Sequence, residues 1–253
     1  VAITTIQALV QIKNEKQQEF DRLKVLPSLM IFDEGHREPA PEWANTIRSF
    51  GKPTILFTAT PFRNDFKNFN VNNNKFYNFP HETAVADNFI RQIDINSNFR
   101  FHNNHDSFLD QLLVFFDTIR NRLTRSRIIN PQVVIRCSNA KNIEKIVRKL
   151  NLRGESAIGI HETFNNNTAR SLYKDVPINQ YNNFTYWVHQ YKLVEGVDNS
   201  SFAVLALFEE FGNERSLIQQ IGRIIRNSNV GNVQKGYIFC EQNSKVKYIW
   251  DKY

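Results

Sequence analysis

Leu29-Met30-Ile31-Phe32 is a four-residue apolar run that ends directly in Asp33 and Glu34. A second run, Thr54-Ile55-Leu56-Phe57, ends in Thr58-Ala59-Thr60-Pro61. Continuous apolar runs this short fit strands buried on both faces. Between them, residues 41–50 predict a helix, with Pro41 in its first turn and Gly51 just past its end. A strand, a helix and a second strand, with polar residues closing both strands, is the pattern of a βαβ unit in a parallel sheet. Such sheets bind ligands outside the carboxyl ends of their strands. That edge is the first candidate site.

Periodicity fades from residue 62 to about 104, where Asn and Phe accumulate and residues 89–95 alone suggest a strand. Helical spacing returns at 106–125, with Phe108, Leu112, Phe115, Phe116, Ile119 and Leu123 on one stripe. A second βα series then follows. Strands are predicted at 132–137, 157–160, 184–188, 202–207 and 236–240, with helices at 139–150 and 216–225. The reading is α/β with three parts: a first α/β domain at 1–80, a connector with a long helix at 81–130, and a second α/β domain at 131–253. The runs Asn72-Asn73-Asn74 and Asn165-Asn166-Asn167 mark loops, because the Asn side chain competes for backbone hydrogen bonds.

Composition narrows the class. The chain has 253 residues, 41% hydrophobic and 23% charged, enough to bury a core, which excludes wholesale disorder and collagen-like repetition. Two cysteines, Cys137 and Cys240, make neither a disulfide scaffold nor a four-ligand zinc site and read as core thiols. No apolar run approaches the ~20 residues that span a bilayer, so a membrane protein is not expected. The start, Val1-Ala2-Ile3-Thr4-Thr5, carries no basic leader and no initiator Met. The expectation is a cytoplasmic chain that begins inside a longer protein. The net charge of +7 favours a phosphate-rich partner.

Asp33-Glu34-Gly35-His36 sits at a predicted strand tip. Adjacent acids there can divide labour, one holding Mg²⁺ through water and the other positioning or deprotonating an attacking water. Thr58 and Thr60 supply hydroxyls at the neighbouring tip. Far downstream, Gln219-Gln220-Ile221-Gly222-Arg223-Ile224-Ile225-Arg226 places two arginines three residues apart, which predicts a shared helix face. Guanidinium forks suit the charge that develops on a transferring phosphoryl group. Each segment taken alone is also an ordinary solvated strand end, turn or basic helix face.

In this order the segments resemble motifs II, III and VI of superfamily-two helicases and translocases. Residues 33–36 match a D-E-x-H box. Residues 57–63 look like the T-A-T-P-x-R segment of the motor subunits of type I and type III restriction enzymes, and residues 219–226 fit Q-x-x-G-R-x-x-R. Leu193-Val194-Glu195-Gly196-Val197-Asp198 is similar to motif V, residues 132–138 resemble the motif IV strand, and Thr4-Thr5-Ile6-Gln7 resembles the T-x-Q of motif Ib. The resemblance implies two RecA-like lobes with parallel sheets, the first truncated at its N-terminus, that close on ATP and Mg²⁺ and move along nucleic acid. By the same resemblance Asp33 would hold Mg²⁺, Glu34 would activate the hydrolytic water, and His36, Thr58 and Thr60 would couple nucleotide state to closure. Gln219, Gly222, Arg223 and Arg226 would reach the nucleotide, the arginines as fingers, with Gly196 and Asp198 beside them. Thr5, Gln7, Ser138 and the loop after Ile160 would line the nucleic-acid track. DNA is the expected polymer and RNA the alternative, with no membrane partner.

One departure stands out. The family cradles ATP phosphates in a Gly-rich loop ending in Gly-Lys-Thr or Gly-Lys-Ser, and here the one Gly-Lys, Gly51-Lys52, runs into Pro53 ahead of a strand. The expectation is a piece of a longer protein that lacks this loop and is inactive alone. The alternatives are a catalytically inactive binding scaffold, or the motor portion of a restriction or phage-defence nuclease. His102, His105, His161 and His189 show no metal-ligand spacing, and Trp43, Trp187 and Trp250 read as packing residues.

Overall fold

The computed structural model describes residues 2–33, 35, 41–58, 75–177, 183–193, 197–210 and 214–253. The chain divides into two compact units, Val1–Asn78 and Phe79–Tyr253.

In the first unit, helices α1 (Ile6–Glu15) and α2 (Gln17–Val25) precede strand β1 (Met30–Phe32), helix α3 (Pro41–Arg48) and strand β2 (Thr54–Leu56). The βαβ pairing holds, with β1 and β2 parallel and Phe32 opposite Leu56, but burial on both faces does not: Ile31 and Ile55 are exposed. Helix α3 ends at Arg48, two residues before the predicted end, and Gly51 takes a φ of +61° just beyond. That left-handed backbone favours glycine, which has no Cβ to clash. Ile6, Leu9, Phe20, Ile47 and Phe50 form the core, with the Phe20 and Phe50 rings edge to face at 5.3 Å.

The second unit holds α4 (His81–Ala86), β3 (Gln92–Phe99), α5 (His105–Arg125), β4 (Gln132–Arg136), α6 (Ala140–Leu152) and β5 (Ala157–Ile160). The short β6 (Leu172–Tyr173) follows, then β7 (Tyr186–His189), β8 (Phe202–Leu207), α7 (Glu214–Ile224), β9 (Lys235–Glu241) and α8 (Val246–Lys252). Seven strands form one sheet in the order β3-β9-β8-β4-β7-β5-β6, and every named pairing is parallel. Parallel sheets need cover on both faces, and alternate side chains of β4 supply it. Val133 and Ile135 join the core formed with α5 and α6, while Val134 joins the core formed with α7 and α8.

The segment read from sequence as a connector is built into this unit. β3 pairs with β9 as an edge strand of the sheet, and α5 buries Phe108, Leu109, Leu112, Phe116 and Ile119 in its core. Loss of periodicity there reflects aromatic packing. Phe99, Phe101, Phe108 and Phe115 all lie within 6 Å of the Phe239 ring on β9. Both cysteines are buried, and burial raises both thiol pKa values. Trp187 is fully buried and Trp250 packs on His81 and Tyr253. Among the described residues, no helix is long and apolar enough to cross a membrane.

Candidate functional site

Asp33 is exposed immediately after β1, and Thr58 lies partly buried just past β2, so both stand at the carboxyl edge of the same strand pair. The turn between them is tight. Phe57 donates its N–H to Phe32 O at 3.0 Å, and Gly35 donates its own to Phe57 O at 2.7 Å. A Cβ on Gly35 would stand 2.8 Å from the Leu56 Cβ and 3.2 Å from Phe57 O. Only glycine lets the acid-bearing loop lie this close to the β2 tip. The sequence reading treated position 35 as a spacer; its signal was the glycine itself, between charged neighbours. Glu34, His36 and Thr60 lie outside the described residues, as does Gly196.

Thr5 is the N-cap of α1, its hydroxyl accepting from Ala8 N–H at 3.2 Å, and Gln7 is exposed in the first turn of that helix. The hydroxyl assigned to a nucleic-acid track therefore already satisfies a helix end.

In the second unit the predicted residues fall into two groups at opposite ends of the strands. At the carboxyl edge, Ser138 donates its hydroxyl to Glu209 Oε1 at 2.6 Å, and Asn142 donates to the same oxygen at 2.9 Å. The Gln190 amide donates to Ser138 O, while its own Oε1 meets His161 Nε2 at 2.8 Å. Ser138, the loop after Ile160 and the segment after β7 thus share one polar network. Glu209 and Gln190, its two joints, follow strands β8 and β7 and were not singled out from sequence.

The second group lies where α7 ends. Arg223 donates from Nη1 to Val197 O at 2.7 Å, and Arg226 forms an ion pair with Asp198. The expectation of a shared helix face does not hold: α7 stops at Ile224, and Arg226 lies beyond it in an antiparallel bridge to Ile90. Past the helix end the 3.6-residue period no longer applies, and the two arginines converge by gripping successive residues of the 197–198 segment. Gln219 is partly buried on α7, and nothing lies within 4 Å of the place a Cβ on Gly222 would take.

His189, at the carboxyl end of β7, is completely buried, with Nδ1 accepting from Leu193 N–H at 3.3 Å. Burial drives its pKa down to about 3, Arg136 and Arg223 push the same way, and the Gln220 amide opposes them. The imidazole is neutral at physiological pH. It is a packed core group.

Residues 1–63 match the family described as the res subunit of type III restriction enzymes. No curated protein sequence matches the chain. Among solved structures, S. cerevisiae Dbp5 bound to RNA and ADP BeF3 superposes with a TM-score of 0.54 at 12% identity, over 98% of this chain and 61% of that one. A single-substitution variant of Dbp5, also bound to RNA and ADP BeF3, gives 0.57 over the same shares at the same identity. The chain thus spans 61% of the length of these structures. At this identity the likeness is one of fold: the parallel α/β architecture is RecA-like.

Proposed function

We propose that the chain belongs to the motor of an ATP-dependent helicase or translocase acting on nucleic acid. The observation that carries this reading is the interlock at the end of α7, where Arg223 and Arg226 grip Val197 and Asp198. Two segments that the family resemblance assigns to one nucleotide are held together by side chains able to meet phosphate.

Each unit by itself carries groups suited to a Mg²⁺–nucleotide. Asp33 presents an exposed carboxylate at a strand tip, the hard oxygen ligand that Mg²⁺ prefers. Two guanidiniums and a partly buried glutamine, Gln219, supply donors for phosphate oxygens. Mg²⁺, when bound, neutralises phosphate charge. Asp33 would hold it, and Glu34 would take the proton of the attacking water. Arg223 and Arg226 would stabilise the charge that grows on the transferring group, and Asp198 fixes where Arg226 stands. Thr58 would report the state of the acids through the Gly35 turn. At the carboxyl edge of the seven-stranded sheet, Ser138 and its network would face the backbone of the polymer.

DNA is the polymer we favour, in a restriction or phage-defence setting, because the res-subunit match spans residues 1–63. Cleavage would then reside elsewhere in the whole protein. The deciding experiment is Glu34→Gln in the whole protein, with ATP binding and hydrolysis measured separately. Binding should persist while turnover falls by about 10²–10⁴-fold, because an amide cannot act as a base. Turnover at the parent rate would overturn the assignment.

A further inference from the structure

Arg91 is fully buried just ahead of β3, at the amino-terminal edge of the seven-stranded sheet. Its guanidinium donates from Nη1 to Phe202 O at 2.6 Å and Ile224 O at 3.2 Å, from Nη2 to Ser200 O, and from Nε to Gln234 Oε1 at 2.9 Å. Its backbone N–H donates to Ile225 O at 2.7 Å. None of these acceptors is a carboxylate. Burial lowers its pKa only to about 10, so it remains a cation at neutral pH.

Buried cations are normally paired with acids, because desolvation is costly. This one is satisfied entirely by neutral oxygens, and the segments that supply them are the informative feature. Ile224 ends α7 and Ile225 follows it, both between Arg223 and Arg226. Ser200 and Phe202 lie within five residues of Val197 and Asp198, the residues those arginines grip. Gln234 extends the set, its amide donating to Ser126 O at 2.9 Å in the approach to β4. One planar fork therefore joins both backbone segments whose side chains interlock. A requirement for packing alone would be met by an apolar side chain; bridging several carbonyls at fixed angles calls for guanidinium.

We propose that Arg91 is a positioning residue for the arginine pair: by holding the end of α7 against the 198–202 segment, it sets where Arg223 and Arg226 stand for phosphoryl transfer. The proposal rests on the motor reading above. An ammonium at this place has one nitrogen where the guanidinium has three, so Arg91→Lys keeps the charge and loses the bridge.

The test is a double-mutant cycle in the whole protein, read as nucleic-acid-stimulated ATPase. Arg91→Lys should lower kcat by about 10–100-fold while KM for ATP stays within about threefold, as for a misplacement of the order of 1 Å. In an Arg226→Ala background the same change should cost less, because one of the two groups it positions is gone and only Arg223 remains to be misplaced. Hydrogen exchange should accelerate at 198–202 and 221–226 and stay unchanged at 133–136. Should Arg91→Lys impair folding, Gln234→Met removes one acceptor and one tether, and should give a smaller loss with the same non-additivity. Parent-level turnover, an equal fold loss in the Arg226→Ala background, or uniformly faster exchange would overturn the proposal. If Arg226→Ala alone turned over like the parent, the motor reading would fall instead, while the exchange data would still report whether Arg91 joins the two segments.

Discussion

Arg226 concentrates the competing demands on a single side chain. Its ion pair with Asp198 is about one-third exposed on the arginine side and 87% exposed on the acid side, so as a stabilising contact it is worth ~0–1 kcal/mol. As a group that meets transition-state charge it is worth far more, ~10³–10⁵ in rate. Arg226→Ala is therefore expected to cut kcat by about 10³-fold with unfolding nearly unchanged and nucleotide affinity shifted only a few-fold. Arg226→Lys should rescue poorly, since a point charge replaces a planar fork. Steady-state kinetics beside a melting curve separates the two readings. His189 carries a second test at this scale. Its pKa is depressed from 6.5 to about 3 in the folded chain, so below pH 6.5 the unfolded state takes up a proton that the folded state refuses. Stability is fully present above that pH and is lost as pH falls toward 3. Between pH 6.5 and 5 the loss should reach about 2 kcal/mol, and His189→Gln should flatten that part of the profile in urea titrations. His81, also depressed by burial, adds a smaller loss in the same direction.

At the scale of elements, the loop after β1 is governed by a steric limit. Gly35→Ala would bring a methyl to 2.8 Å from the Leu56 Cβ, an atom fixed by backbone with no rotamer to move away. The Gly35–Phe57 hydrogen bond should lengthen, the first unit should lose about 1–3 kcal/mol, and ATP turnover should drop because the neighbouring acids shift. Gly222 offers the control. It lies within α7 with open space at the Cβ position, so Gly222→Ala should raise thermal stability by about 0.4–1 kcal/mol. A Gly35→Ala protein that melts and turns over like the parent would show that the turn tolerates a side chain and does not place the acids.

For the whole molecule, charge and fold make one prediction together. A net charge of +7 and the track proposed for the carboxyl edge of the parallel sheet together predict recognition mainly through phosphates. Oligonucleotide affinity should fall steeply and log-linearly with salt between about 50 and 200 mM, with little preference among sequences of equal length. Fluorescence anisotropy across that range checks it. A flat salt response would sink the reading, and strong sequence preference would point to base-edge contacts instead.

Most strands and the helices α3, α5, α6 and α7 were legible in the chain because their signals are local, whereas α1, α2, α4, β6 and α8 were not read from it. Four apolar residues before Asp33, the stripe from Phe108 to Leu123, and the spacing of Gln219, Gly222 and Arg223 are each complete within a few turns. What depended on the fold are relations across long separations. Arg91 finds its acceptor on Phe202 across 111 residues, and nothing beside Arg91 in the sequence marks it as a clamp. Phe99 and Phe101 fall in the stretch from 62 to about 104, which reads as a connection because it follows no single period; the partner that orders them, Phe239, lies on a strand more than 130 residues later. Arg226 was assigned to a helix face from a spacing that ends with the helix at Ile224. Periodicity specifies which residues turn inward, since each backbone conformation repeats on its own short period. Which distant segments meet is decided by how the buried faces pack and by the need to satisfy every buried donor and carbonyl.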